Sequence, residues 1–278
     1  MPRTIFITGA SSGIGAAVSR LFFEKGWNVA ATMRKPGEAS ELKQLDASRL
    51  LLERLDVVDA SSIQPAIDAA IAKFGKIDVL FNNAGYAQYG IFEMTSPTKC
   101  RDQFDVNLFG VMDVTRAILP HFRASGHGGI VNMGSGAGLW GSPLGTMYTA
   151  SKFALEGFTE ALSYELAPLN IFVKSIVPTV GVGGTKLVES SVAHIAMDEA
   201  LVPTYGAYMQ EMVPKLQAMG SSGALEVTEL AHIVYIAATD GTNKVRYVCG
   251  ADDFGFLKAR VESKSDEEYM ARMRAWFN

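Results

Sequence analysis

The stretch TIFITGASSGIG, Thr4 to Gly15, decides how this chain is read. Its first half is apolar and β-branched, as a buried strand is. Its second half, Thr8 to Gly15, is glycine-rich and hands over to a helical pattern from Ile14 to Lys25 that Gly26 closes. A strand, a tight turn and a helix start in succession leave free backbone amides and the positive end of a helix dipole just past the strand, where a pyrophosphate can sit. Gly9, Gly13 and Gly15 do not have the G-x-G-x-x-G spacing, so from this stretch alone a plain strand–helix turn with a serine cap stays open. Gly9-Ala10-Ser11-Ser12-Gly13 also fits G-x-S-x-G, the nucleophile elbow of α/β-hydrolases. That elbow needs earlier strands and an upstream oxyanion loop, and only eight residues precede Gly9.

Working outward, short apolar runs alternate with longer helical patterns. WNVAATM, LLLERLDV, KIDVLFNNAG, GGIVNMGS and IFVKSIVP read as further strands. Between them the pattern predicts helices over Ser61–Phe74, with Ser61 and Ser62 as caps, over Lys99–Arg123, and over Tyr148–Leu166. Strands separated by helices cannot pair as hairpins. The expected fold is therefore one α/β domain over residues 1–278: a doubly wound, mainly parallel sheet of the Rossmann type with helices on both faces. The section from Thr179 to Leu225 breaks the rhythm; it opens with Gly181, Gly183 and Gly184 and then carries Met197, Met209, Met212 and Met219. It is expected to form a flexible apolar lid over the site. VTELAHIVYIAAT, VRYVCG and a helix ending near Trp276 complete the pattern.

Composition removes whole classes of function. With 48% hydrophobic and 19% charged residues in 278, the chain is globular, and a net charge of −4 gives no footprint for nucleic acid. No apolar run approaches the ~18 residues of a membrane span, and the N-terminus lacks a signal-peptide core. Cys100 and Cys249 form no spacing motif, and His121, His127, His194 and His232 none with metal-ligand spacing. A cytoplasmic protein without metal is expected.

Five landmarks stand in register over about 180 residues: TGASSGIG, NNAG at Asn82–Gly85, Asn107 in DVNLFG, Ser135 in NMGS, and Tyr148 with Lys152 in YTASK. From Ala124 to Ser151 there is no charged residue, so Lys152 is the first charge after Arg123. Tyr148 and Lys152 stand at i and i+4, on one face of a helix, where a held cation favours the phenolate and makes the phenol usable as acid or base nearer neutrality. Together, with thirteen residues from Ser135 to Tyr148, these motifs resemble the short-chain dehydrogenase/reductase family, and ATMR and YTASKFALEG resemble its 17β-hydroxysteroid dehydrogenase and carbonyl reductase branch.

That resemblance implies a nicotinamide-dependent carbonyl reductase or alcohol dehydrogenase. Tyr148 would exchange the proton, Ser135 would bond the carbonyl or hydroxyl oxygen, Lys152 would bond the nicotinamide ribose, and Asn107 would hold a water continuing a relay from Lys152. It further implies that Gly9, Ser11, Ser12, Gly13, Ile14 and Gly15 cradle the pyrophosphate, that Asp56 and Val57 frame the adenine, and that Asn83, Ala84 and Gly85 line the adenosine ribose. Pro178 follows the sixth strand, but Thr179 stands where the family usually has glycine, and Thr185 is the candidate for a shifted cofactor contact. About 20 residues past the glycine loop, Met33 occupies the place of the acid that selects NAD; Arg34, helped by Lys35 or Ser11 and Ser12, suits a 2′-phosphate, so NADP(H) is expected. Tyr86, Tyr89, Leu139, Trp140 and Leu144 flank the motifs and point to bulky ketones or secondary alcohols. The resemblance also implies a homodimer or homotetramer. A non-catalytic dinucleotide sensor and an isomerase or dehydratase of the same fold are the competing readings; net consumption of NAD(P)H with a ketone separates them.

Overall fold

The computed structural model describes residues 2–39, 41–183 and 195–277. Seven strands, β1 (Thr4–Ile7), β2 (Asn28–Met33), β3 (Leu50–Arg54), β4 (Val79–Asn82), β5 (Gly128–Met133), β6 (Ile171–Pro178) and β7 (Arg246–Cys249), form one sheet in the order β3-β2-β1-β4-β5-β6-β7. Every pairing is parallel. The helices are α1 (Gly13–Glu24), α2 (Ala60–Phe74), α3 (Pro97–Phe104), α4 (Gly110–Ser125), α5 (Thr146–Leu166), α6 (Val202–Ser221), α7 (Val227–Thr239), α8 (Phe256–Glu262) and α9 (Asp266–Phe277).

Side chains alternate across each strand, so β1 feeds two cores at once. Ile5 and Ile7 pack with Val18 and Phe22 of α1 and Leu230 and Val234 of α7. Phe6 faces the other way, among Ile63 and Ile67 of α2, Ile118 and Phe122 of α4, and Leu162 of α5. Burial on both faces is why these strands read as unbroken apolar runs rather than alternating ones. Each fully buried Phe or Ile contributes roughly 1.5–3 kcal/mol. The chain runs from β1 to β2 and β3 on one side and resumes with β4 on the other. The strand order therefore reverses between β1 and β4, and a crevice opens there at the carboxyl ends of the strands.

Two expectations change, and a third section gains detail. The cap of α2 is Asp59, whose Oδ1 accepts the Ser61 N–H at 3.2 Å, while the Ser62 hydroxyl accepts the Asp56 N–H instead; a carboxylate two residues before Ser61 is the stronger acceptor. The helix predicted over Lys99–Arg123 is α3 and α4 joined by a wider π-type turn at Asp105–Phe109, which carries Asn107. The section from Thr179 to Leu225 contains a regular helix, α6, with Met209 and Met212 packed against Met94 and Leu144. Met197 is exposed and Met219 joins a separate cluster with Trp140. Among the described residues no helix is long and apolar enough to cross a membrane.

Candidate active site

The glycine turn is built by close approach. Gly9 has φ +67°, and a Cβ there would lie 2.8 Å from the Cα of Ala84. Thr8 secures the same contact: its hydroxyl accepts the N–H groups of Asn83 and Ala84 at 3.0 and 3.1 Å, and the Asn83 amide donates to the Thr8 and Gly9 carbonyls, each at 3.0 Å. The NNAG segment is therefore the clamp on the TGASSGIG segment. Ser12 precedes α1 without using its hydroxyl as a cap, leaving the first amides of α1 open to the crevice.

A cavity of about 770 Å³ runs along this crevice. One end is bordered by Gly9, Ser11, Ser12, Gly13, Ile14, Met33, Arg34, Asp56, Val57, Asn83, Ala84 and Gly85. The other end holds Ser135, Tyr148, Lys152, Pro178 and Thr179. Gly15 lies just behind the turn, where a Cβ would strike the Gly9 carbonyl. Arg34 is exposed and makes no ion pair or hydrogen bond among the described residues, so its guanidinium is free to take an anion. Lys35 does not help it: its ammonium pairs with Glu38 at 3.0 Å and lies outside the cavity. Thr185 lies outside the described residues. The open amides, the glycine cradle and the unpaired Arg34 fit the phosphates of a dinucleotide.

At the far end, Tyr148 and Lys152 lie one turn apart on α5, both nearly buried. The Lys152 ammonium donates to the Met133 carbonyl at 2.7 Å and lies 5.8 Å from the centre of the Tyr148 ring. Burial pushes Lys152 down to about 8, opposed by the charge of Glu156. Burial also holds Tyr148 above the usual phenol value, with the Ser135 hydroxyl pulling it back. Against the expected lowering of the phenol by Lys152, desolvation is the larger effect in the protein by itself, so the Tyr148 phenol is neutral at pH 7. Ser135 sits in extended backbone after β5, its Oγ accepting the Ala137 N–H at 3.2 Å.

Asn107 is placed differently from its expected part. Its Nδ2 donates to the Tyr86 carbonyl at 2.9 Å and to Ser151 Oγ at 3.4 Å, and its Oδ1 accepts the Tyr86 N–H at 3.1 Å. The side chain is committed to the Gly85–Tyr86 turn. The structure also adds lining residues that the motifs did not name, among them Leu216, Met219 and Phe254, which meet Tyr86, Tyr89 and Trp140 around the Tyr148 end. Leu139 and Leu144 are not in that lining. Leu144 is instead buried at φ +57°, its carbonyl taking the Gly90 N–H at 2.7 Å, a strained position at the entry to α5.

A doubly wound sheet with an anion cradle at one end of its crevice and a Tyr–Lys pair at the other defines a dinucleotide-dependent oxidoreductase. The family model described as short chain dehydrogenase matches residues 3–195, and the chain belongs to the short-chain dehydrogenase/reductase family. It is 35% identical over 235 residues to an uncharacterized oxidoreductase of Schizosaccharomyces pombe, covering 84% of this chain and 94% of that one. It is 38% identical over 177 residues to a 3-ketodihydrosphingosine reductase of Bacteroides thetaiotaomicron, covering 64% of this chain and 63% of that one. A short-chain dehydrogenase from Streptomyces avermitilis superposes with a TM-score of 0.83 at 28% identity, covering 99% and 96% of the two chains. A Burkholderia phymatum relative solved with NAD gives 0.78 at 26% identity, covering 93% and 92%. A serine dehydrogenase solved with NADP+ gives 0.74 at 28%, covering 88% and 94%. Structural neighbours thus bind either nucleotide.

Proposed function

We propose that this chain is an NADP(H)-dependent oxidoreductase interconverting a bulky, largely apolar ketone and its secondary alcohol, with Tyr148 as the general acid–base. The observation that carries this reading is a single cavity with the unpaired Arg34 at one end and Ser135, Tyr148 and Lys152 at the other. Gly9, Ser11, Ser12, Gly13, Ile14 and Gly15 would hold the pyrophosphate, Asp56 and Val57 the adenine, and Asn83, Ala84 and Gly85 the ribose, with Pro178 beside the nicotinamide. When bound, the nicotinamide supplies or accepts the hydride.

In the reducing direction Tyr148, protonated at neutral pH, gives its proton to the substrate oxygen. Ser135 donates a hydrogen bond to that oxygen as it gains charge. Lys152, in surroundings of low polarity, stabilises the phenolate left behind and bonds the cofactor ribose. Asn107 contributes by fixing the Gly85–Tyr86 turn. Tyr86, Tyr89, Trp140, Leu216, Met219 and Phe254 supply the apolar wall that favours a bulky substrate. Leu216 and Met219 belong to the section over 179–225, which on this reading covers the substrate. The Bacteroides relative, a ketone reductase by name, agrees with the reaction class.

Two weaker expectations belong with this reading. Phe109, Phe153 and Tyr164 are exposed on the outer side of the π-type turn and α5, which supports pairing of subunits there. Cys100 and Cys249 are both free thiols, as a reducing cytoplasm would keep them. The reading is tested by following absorbance at 340 nm with a panel of ketones and NADPH. Faster turnover with NADH, or no turnover on any ketone, refutes it.

A further inference from the structure

Behind the catalytic turn lies a buried carboxylate that the reaction described above does not use. Glu156 stands one helical turn beyond Lys152 on α5 and is only 4% exposed. Its Oε1 accepts a short hydrogen bond from the Ser175 hydroxyl of β6, and its Oε2 accepts from Arg246 Nε of β7 at 2.9 Å. Arg246 also reaches Glu160, at 2.5 Å. The charges therefore alternate along one line: Lys152, Glu156, Arg246, Glu160.

The fold has cleared space for this carboxylate. A Cβ on Gly134 would lie 2.5 Å from both Glu156 Oε1 and Ser175 Oγ, and one on Gly138 would lie 2.9 Å from Glu156 Cγ and from the Lys152 carbonyl. Both glycines flank Ser135 in the catalytic loop. Arg246 already has a partner in the half-exposed Glu160, so pairing Arg246 does not by itself call for burying a second carboxylate. Taking a carboxylate out of water costs several kcal/mol; Glu156 is ion-paired with Arg246, and Lys152 stands one turn away on the same helix.

We propose that Glu156 is the counter-charge that keeps Lys152 cationic, so that the Ser175–Glu156–Arg246 cluster is a positioning device for the catalytic ammonium. Burial works against the charged form of Lys152, and Glu156 is the charge that works for it. Among the described residues, Tyr148 and Glu156 stand one turn to either side of Lys152 on α5, and the Met133 carbonyl of β5 accepts its ammonium; the Ser135 hydroxyl meets Tyr148. The Ser175 hydroxyl of β6 and Arg246 of β7 reach Lys152 through Glu156. The inference rests on Lys152 acting as the cation beside Tyr148.

The test uses the whole protein with lysine 13C-labelled at Cε, titrated by NMR without cofactor. The Lys152 resonance is identified by its loss in Lys152→Met. Glu156→Gln should lower the Lys152 midpoint by about one pH unit or more, a tenfold change in its acid constant. Arg246→Met should raise it, because the carboxylate then serves Lys152 alone. An ion pair whose field does not reach the Lys152 ammonium would move the midpoint in neither variant. An unchanged midpoint in Glu156→Gln, or shifts of the same sign in both variants, overturns the proposal. If Glu156→Gln does not fold, Arg246→Met decides alone, an unchanged or lowered midpoint being the refuting result. The titration needs no turnover, so its failure is distinct from failure of the reductase reading.

Discussion

Replacing Arg34 by alanine should separate the two nicotinamide cofactors, and the structure sets the size of the effect. Arg34 is exposed and has no carboxylate partner among the described residues, so its removal orphans none of them and fold stability should change by less than about 0.5 kcal/mol. Hydrogen bonds to charged groups are worth ~1.5–3 kcal/mol, and exposure to solvent places a guanidinium–phosphate contact at the lower end. A loss of about 1.5–2 kcal/mol raises KM for NADPH roughly 10–30-fold. KM for NADH should stay within about twofold, since no 2′-phosphate is present to lose. Lys35 cannot replace the missing charge while it is paired with Glu38. Adding Met33→Asp should push preference further towards NAD, at a cost: Met33 is 2% exposed in the core beside α1, and a carboxylate there is poorly solvated. The single substitution is therefore the cleaner experiment. Initial rates with each cofactor at a fixed, saturating ketone give the two kcat/KM values. Equal losses for NADPH and NADH in Arg34→Ala, or a wild-type preference for NADH, would refute the assignment of Arg34.

Other outcomes follow from the same geometry. Tyr148→Phe should lower kcat by about 10²–10⁴-fold with cofactor affinity nearly unchanged, and retention of a tenth of the rate would exclude Tyr148 as the proton donor. Ser135→Ala should lose rate with little change in cofactor binding; an unchanged rate would leave Ser135 as a turn residue only. Gly9→Ala, forced against Ala84 at positive φ, should lower thermal stability by about 1–3 kcal/mol and weaken cofactor binding, both measurable by calorimetry. Lys152 titrates near 8 in the folded chain against 10.5 unfolded, so between these values the unfolded state holds more protons and this residue's contribution to stability rises with pH. Wild type minus Lys152→Met stability should therefore increase from pH 8 to 10, and a flat difference would show that Lys152 is not held down by burial.

The sheet was legible in the sequence because burial on both faces leaves a local record. The bounds expected for β6 and α7 coincide with the observed Ile171–Pro178 and Val227–Thr239, where apolar runs are closed by sharp polar or proline punctuation. That Tyr148, Lys152 and Ser135 meet in one cavity was legible for a related reason: their spacing is fixed by one helix and one loop. What escaped was set by contacts between distant parts of the chain. Glu156 and Arg246 are 90 residues apart, and no local pattern announces that they meet. Leu216 and Phe254 enter the cavity from α6 and the segment before α8, elements whose docking follows from tertiary packing; Met219, expected over the site, enters from the carboxyl end of α6. Asn107 was found, but its side-chain partners depend on the π-type turn, a local change of helical pitch that composition does not signal.

The stretch after β6 shows the same limit more sharply, because glycine has two opposite uses. Gly181 and Gly183 looked like hinges for a lid, yet neither has positive φ. A Cβ on Gly181 would fall 1.8 Å from the Gly220 carbonyl, so the position brings two backbones together. The Gly181 carbonyl takes the Leu225 N–H and the Gly183 N–H reaches the Leu225 carbonyl, each at 2.9 Å. Thr179, where a glycine was expected, adds a second tie: its hydroxyl donates to the carbonyls of Cys249 and Ala251 at 2.9 and 3.0 Å. Room for it comes from Gly250, at φ +89°, where a Cβ would lie 3.1 Å from Thr179 Oγ1 and 2.5 Å from Val180 Cγ2. Residues 179–183 are thereby tied both to the end of β7 and to Leu225, and the two glycines serve close backbone approach in this structure.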